Sequence, residues 1–267
     1  MANINGTLGS DVIHGTNFAD NINAKTGNDV VYAKGGNDTV HAGPNNPIFG
    51  LPDNDVVYGD WGNDKIYGGY GNDKLYGGYG NDHIDGWTGD DSLYGEAGND
   101  NLWGYSGNDY INGGDGNDYL YGESGHDTLD GWTGDDHVYG GDGNDTLYGW
   151  TGNDKLYGGN GKDTLRGEAG NDCLVGGYGN DTLWGGAGTD KFVFNSKWEG
   201  VDVIKDFNWK EGDKICIGKS FGATSTNQFA YNHHTGALSY NGTVFAIIEN
   251  KPAGFSPKFD VQLHCDC

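Results

Sequence analysis

Aspartate returns at every ninth position over most of this sequence: at 11, 20, 29 and 38, and again from 55 through 190. In the longer run of sixteen, the residue two before the aspartate is glycine fifteen times. The residue two after it is apolar at all twenty positions, from Ile13 to Phe192. The consensus reads G-G-x-G-N-D-x-L-x, as in Gly68-Gly69-Tyr70-Gly71-Asn72-Asp73-Lys74-Leu75-Tyr76. Glycine visits positive φ at no steric cost, so the glycine-rich half is a turn that gathers backbone carbonyls around a point. The aspartate adds a carboxylate there. Carbonyl and carboxylate oxygens on a flexible turn suit a hard divalent cation, calcium before magnesium, because calcium accepts about 6–8 irregularly placed oxygens.

These groups need a scaffold that brings the turns together. The triplet x-L-x reads as a very short strand with the central apolar residue inward and its neighbours outward. Two units make one turn of a flattened coil, eighteen residues around, with strands on two faces stacked about 4.8 Å apart in parallel. One column of Leu, Ile and Val per face is a thin core. Aspartates stacked eighteen apart repel unless a cation sits between them. Metal binding and folding are then one equilibrium.

The repeat resembles the RTX (haemolysin-type) calcium-binding nonapeptide, whose fold is a parallel β-roll. The resemblance implies that each ion is shared by two aspartates eighteen residues apart plus turn carbonyls. Carried onto this chain, it pairs Asp55 with Asp73, Asp64 with Asp82, and so on through Asp91, Asp100, Asp109, Asp118, Asp127, Asp136, Asp145, Asp154, Asp163, Asp172, Asp181 and Asp190. Asp11 with Asp29, Asp20 with Asp38 and Asp38 with Asp55 extend the set, for about fourteen to seventeen ions at one per stacked pair.

Seventeen residues separate Asp38 from Asp55, one short of a full turn. This stretch, about 42–54, reads as a degenerate repeat with a deletion, with Pro47 in the aspartate position and Phe49 in the apolar one. It forms a local bulge or, less favoured, a functional loop. On this register Asp29 and Asp64 share no ion. Pro44, Pro47 and Pro52 fall here, as expected of residues that disrupt a ladder.

The fold expected is all-β: a β-roll solenoid over 1–193 and a small β cap over 194–267, since a solenoid's last turn needs covering. Strand-like runs in the cap are Lys191 to Phe194, Val201 to Phe207, Lys214 to Ile217, Phe229 to Asn232, Ala237 to Tyr240 and Thr243 to Ile248, with Asn241-Gly242 a hairpin signal. The segments Gly185 to Phe194, Val201 to Phe207 and Asp213-Lys214-Ile215 resemble the cap that follows the repeats in serralysin-type secreted proteins. That resemblance implies an uncleaved C-terminal signal for type I secretion. The ending Leu263-His264-Cys265-Asp266-Cys267 departs from its pattern. The terminal cysteines read mainly as a passive tail, with an intermolecular disulfide or a metal site as alternatives.

Composition excludes several classes. With a net charge of −24 and only 15 Lys and Arg, the chain is no nucleic-acid binder. No apolar run approaches the ~20 residues of a membrane span, and the N-terminus has no signal-peptide pattern. No His-Glu pair exists, so the zinc-protease motif is absent. Gly218-Lys219-Ser220-Phe221-Gly222 matches G-x-S-x-G, with Asp260 and His264 following, but too little chain remains for the required strand–turn–helix in a large sheet. Asp213 stands where a phosphate loop needs its first glycine. The expectation is no enzyme.

Aromatic residues occupy outward strand positions: Tyr58, Tyr76, Tyr94, Tyr148 and Trp184 on one face, Tyr67, Trp103, Tyr121, Tyr139 and Tyr157 on the other. Trp61, Trp87, Trp132 and Trp150 add rings at turns. They form stabilising ladders or flat surfaces for glycan or sister subunits. The function expected is a secreted, calcium-folded structural or adhesive protein of a bacterial surface or matrix. Self-association is part of this expectation, because Ile4 and Ile13 start the stack with no recognisable cap. The rival readings are a glycan-binding module like those of alginate-modifying enzymes and a piece of an RTX enzyme or toxin.

Overall fold

The computed structural model describes residues 1–43, 53–250, 252, 254–265 and 267. The chain is an all-β parallel solenoid that divides into two compact units, Met1–Gly134 and Asp135–Cys267.

In the first unit, strands alternate between two sheets, each pairing in parallel with the strand two further along. Val57, Leu75, Leu93 and Ile111 lie side by side in one sheet, and Ile66, Ile84, Leu102 and Leu120 in the other. All eight are fully buried, as alternation within the triplet requires. The early strands, such as Asn21–Asn23 and Thr39–His41, have the three residues expected. From Val56–Trp61 onward they have six, because pairing resumes beyond the glycine, Gly78 opposite Glu96 for example. The turn is thus part of the ladder. Its glycines are required by contact: a Cβ on Gly80, at φ +129°, would run into the carbonyl oxygen of Gly62 one turn earlier.

The register across the irregular stretch differs from the one expected. Val31 pairs with Val57 and Val40 with Ile66, so each edge passes across a spacing of 26 without a break. Seventeen residues therefore act as one nonapeptide plus eight extra, not as two nonapeptides less one. This preserves both aspartate columns, whereas the other register would interrupt one of them with Pro47. Pro47 and Phe49, assigned to a degenerate repeat, lie outside the described residues.

In the second unit, a ladder of the same kind runs from His137–Asp142 to Thr182–Ala187. Parallel pairing then continues without the repeat: Lys191–Phe194 with Lys214–Ile217, and that strand with Val261–Leu263. On the other sheet, Asp202–Ile204 pairs with Thr243–Ile248, which turns back through Asn241 and Gly242 to Ala237–Tyr240. Both turn residues have positive φ, +49° and +85°, as a two-residue hairpin demands. Phe194, Phe221 and Phe229 pack around Phe245, and Phe207 packs on Phe192 and Phe255. Large rings here take the place of the Leu column.

The terminal cysteines are not a passive tail. Cys173 bonds Cys267 and Cys216 bonds Cys265, with Cα atoms 5.6 Å apart in both pairs. The strand Val261–Leu263 lays the chain end beside the sheet that carries Cys216, and Val175 and Val193 complete the cluster. Among the described residues no helix is long and apolar enough to cross a membrane.

Candidate metal centre

Each repeat aspartate sits at the start of its strand, just past the turn, where the backbone of the turn before it is within reach. Within each unit, where an aspartate lies one turn earlier, Oδ1 accepts its N–H. On one edge of the first unit this links Asp11, Asp29, Asp55, Asp73, Asp91, Asp109 and Asp127 in succession, at 2.7–2.8 Å. The other edge links Asp20, Asp38, Asp64, Asp82, Asp100 and Asp118, at 2.6–2.8 Å. In the second unit the chains are Asp136, Asp154, Asp172, Asp190 and Asp145, Asp163, Asp181, at 2.9–3.0 Å. The expected pair Asp38–Asp55 does not form. Asp29–Asp55 and Asp38–Asp64 take its place, and Asp29 and Asp64 stand on opposite edges.

A second, solvent-facing ladder runs beside it: Asn72 N–H donates to Asn54 Oδ1 at 2.8 Å, and Asn81 to Asn63 at 2.9 Å. This accounts for the asparagine in the consensus.

The other carboxylate oxygen is the chemically telling atom. Oδ2 of Asp55, Asp64, Asp73, Asp82, Asp91 and Asp100 is buried with no hydrogen-bond partner. The same holds for Asp154, Asp163, Asp172, Asp181 and Asp190. Only a glycine leaves room for it: a Cβ on Gly68 would stand 2.5 Å from Asp73 Oδ2. Burial pushes these carboxyls up, to about 7 for Asp55, Asp64 and Asp73 and about 8 for Asp91 and Asp100. Neighbouring aspartates add to the effect. A buried charge persists only when paired or bound to a metal.

No three acidic, His or Cys side chains converge on one point among the described residues. On each edge the carboxylates arrive one per turn, so a cation held between turns would need backbone carbonyls to complete its shell. All-oxygen donors, orphaned carboxylate oxygens and a glycine-lined cradle fit calcium; zinc would ask for His or Cys.

The sequence matches the RTX calcium-binding nonapeptide repeat over residues 5–40, 45–75, 67–102, 94–129, 103–138, 121–156, 130–165 and 157–192. The chain belongs to the RTX calcium-binding repeat family. No curated protein matches it. Among solved structures, the extracellular lipase LipA from Serratia marcescens aligns at 15% identity over 88% of this chain, with a TM-score of 0.25. This chain spans 44% of that lipase.

As an RTX protein the chain binds calcium through its repeats. Two features of the site escaped the reading of the sequence. Asp11 and Asp20 have their Oδ2 atoms engaged, by Thr7 and Thr16 respectively. And the aspartate ladder does not stop at Asp190: Asp202 and Asp213 continue it at spacings of 21 and 23, which a nine-residue period cannot reveal.

Proposed function

We propose that this protein is secreted, folds when calcium binds between its turns, and serves a structural or adhesive role at a bacterial surface or matrix without catalysing a reaction. The observation that carries the reading is the column of buried, unpartnered Oδ2 atoms. Left metal-free, each would cost about 1–3 kcal/mol as an unsatisfied buried acceptor. Calcium removes that cost at every turn, so ions and fold arrive together. In this reading one ion is shared by each stacked pair of orphaned carboxylates, and Asp20, satisfied by Thr16, needs none.

Two intrachain disulfides support secretion, since such bonds persist in oxidising compartments. The non-enzymatic reading is supported at the one motif that invited another. Ser220 lies in a short 3-10 turn, Lys219–Phe221, and donates its hydroxyl to the Asn195 carbonyl at 2.8 Å. Asp260, 3.7 Å from the Lys214 ammonium, is engaged elsewhere.

The outward rings favour scaffold over glycan binding. Tyr32, Tyr58, Tyr76 and Tyr94 stack at 5.2, 4.9 and 4.7 Å with planes within 8°. Tyr139 and Tyr157 do the same at 4.7 Å. These rings use their faces on one another and present edges, whereas a sugar stacks on a free face.

Titrating calcium into chelated protein while following circular dichroism tests the central claim, with cooperative gain of β-structure expected. A fully folded repeat region in excess chelator would overturn it. A glycan array on the calcium-loaded protein tests the rival, and sedimentation with and without calcium tests for self-assembly.

A further inference from the structure

The family match stops at residue 192, yet the contacts that define a repeat turn occur once more beyond it. The segment is Glu199-Gly200-Val201-Asp202-Val203-Ile204. Gly179 N–H donates to the Glu199 carbonyl at 2.6 Å, as Gly161 N–H donates to Tyr178 at 2.7 Å one turn earlier. Val201 N–H donates to Asn180 Oδ1 at 2.9 Å, as Lys162 N–H donates to Asn144 Oδ1 at 2.8 Å earlier on the same edge. Asp181 N–H donates to Asp202 Oδ1 at 3.0 Å, as Asp163 N–H does to Asp181 at 2.9 Å. A Cβ on Gly200, at φ +135°, would run into the Gly179 carbonyl oxygen, just as one on Gly179 would run into that of Gly161. Val203 and Ile204 pair with Thr182 and Leu183. This is a repeat turn hidden by three inserted residues.

Asp202 and Asp181 are 4% and 1% exposed, and Asp181 Oδ2 has no hydrogen-bond partner. The other edge differs. Asp213 accepts the Asp190 N–H at 3.0 Å, but its Oδ2 already accepts the Asn208 N–H at 2.6 Å. That carboxylate is satisfied by its own loop.

We propose that Asp181 and Asp202, with carbonyls of the turns that carry them, form one further calcium site that ties the last repeat turn to the C-terminal region, and that Asp213 forms no counterpart. The proposal rests on the reading that the repeats hold calcium between turns. Its consequence is that the strand Asp202–Ile204, and Thr243–Ile248 paired to it, are held to the roll by an ion as well as by backbone hydrogen bonds.

The test is bound calcium per full-length chain, by equilibrium dialysis and elemental analysis, for wild type, Asp202→Asn and Asp213→Asn. Asparagine keeps the Oδ1 acceptor and removes the charge. Asp202→Asn is expected to bind one calcium fewer, and Asp213→Asn as many as wild type. An unchanged count in Asp202→Asn, or an equal loss in Asp213→Asn, overturns the proposal. Should Asp202→Asn not fold, wild-type crystals soaked in terbium decide. An anomalous peak between Asp181 and Asp202 supports the site; peaks at the repeats with none there overturn it alone. A chain that binds no calcium anywhere overturns the repeat reading and this one with it.

Discussion

Asp11 and Asp20 differ from Asp29 and Asp38 in what touches the second carboxylate oxygen. In the first pair, the residue four before the aspartate is threonine, and it donates twice: Thr16 through its N–H at 2.7 Å and its hydroxyl at 2.8 Å. Asp11 receives the same from Thr7 at 2.5 and 2.9 Å. In the second pair, that position holds Lys25 and Lys34, at φ +85° and +80°, and Oδ2 is left without a donor. Thr7 and Thr16 stay out of the positive-φ region. A left-handed residue there turns the peptide so that its N–H no longer faces the carboxylate. Electrostatics follows. Asp11 is held below the usual carboxylate range by the Thr7 N–H, and Asp20 chiefly by the Ala2 N–H, with Thr16 assisting. Burial pushes Asp29 up, and Asp38 to about 6. One turn satisfies its carboxylate internally; the other exports the need to a cation.

The largest effect that could break this comparison is calcium removal. In excess chelator the turns with orphaned oxygens are expected to unfold, because dozens of glycines regain backbone entropy and stacked charges repel. The two threonine turns bury too little to fold alone. Hydrogen exchange on the chelated protein measures this. Protection retained through residues 55–190 would refute the claim that the cation is part of the fold.

A smaller effect separates the turns by their calcium dependence. Asp100→Asn keeps the ladder hydrogen bond but not the charge. Its destabilisation should grow with calcium, by about 1.4 kcal/mol per tenfold in concentration for each site lost. Thermal melts across a calcium series measure the slope, and a flat one would place no ion at Asp100.

Acidity sharpens the same contrast. In the metal-free fold the orphaned carboxyls ionise late, Asp91 and Asp100 near 8 and Asp82 and Asp109 near 6, against about 3.9 in an unfolded chain. Between those values the folded state binds more protons than the unfolded one, so stability falls as pH rises. Their contribution is fully present below about 4 and lost through 6 to 8. Asp11 and Asp20 have the opposite sign, and lose stability as pH falls through their depressed values. Chelated protein should therefore show more β-structure at pH 5 than at pH 8, by circular dichroism. Calcium affinity should move the other way, because each ion displaces protons.

Much of this was legible in the sequence for a physical reason: side-chain direction in a solenoid is fixed by a short period, so Leu75 and Asp73 report their own surroundings. Asn241-Gly242 reported its hairpin equally locally. The misses are non-local or hidden by insertions. Seventeen residues between Asp38 and Asp55 fit either one turn less a residue or one unit plus eight, and only the pairing of Val31 with Val57 separates them. The disulfides join residues 94 and 49 apart, through a three-residue strand too short to give a pattern. Asp202 keeps the repeat's contacts while losing its spacing. Thr7 and Thr16 were local signals, yet the nine-residue period drew attention to what the turns share and away from how they differ.

The smallest effect is the most specific. Thr16→Val keeps the β-branched shape and the backbone N–H, and removes only the hydroxyl that donates to Asp20 Oδ2 at 2.8 Å. Asp20 is almost fully buried, so losing one donor should cost about 1 kcal/mol. If Thr16 satisfies Asp20 so that no ion is shared there, as proposed, the loss should be the same at every saturating calcium concentration, unlike that of Asp100→Asn. Melts of the two variants over one calcium series compare the slopes directly. A Thr16→Val penalty that shrinks as calcium rises would mean that a cation fills the gap, and that Asp20 belongs with the metal-bound aspartates after all. Thr16→Gly extends the test. It frees the backbone to adopt positive φ and removes the hydroxyl, which converts the turn toward the later type. That variant should gain the calcium-dependent slope that Thr16→Val lacks.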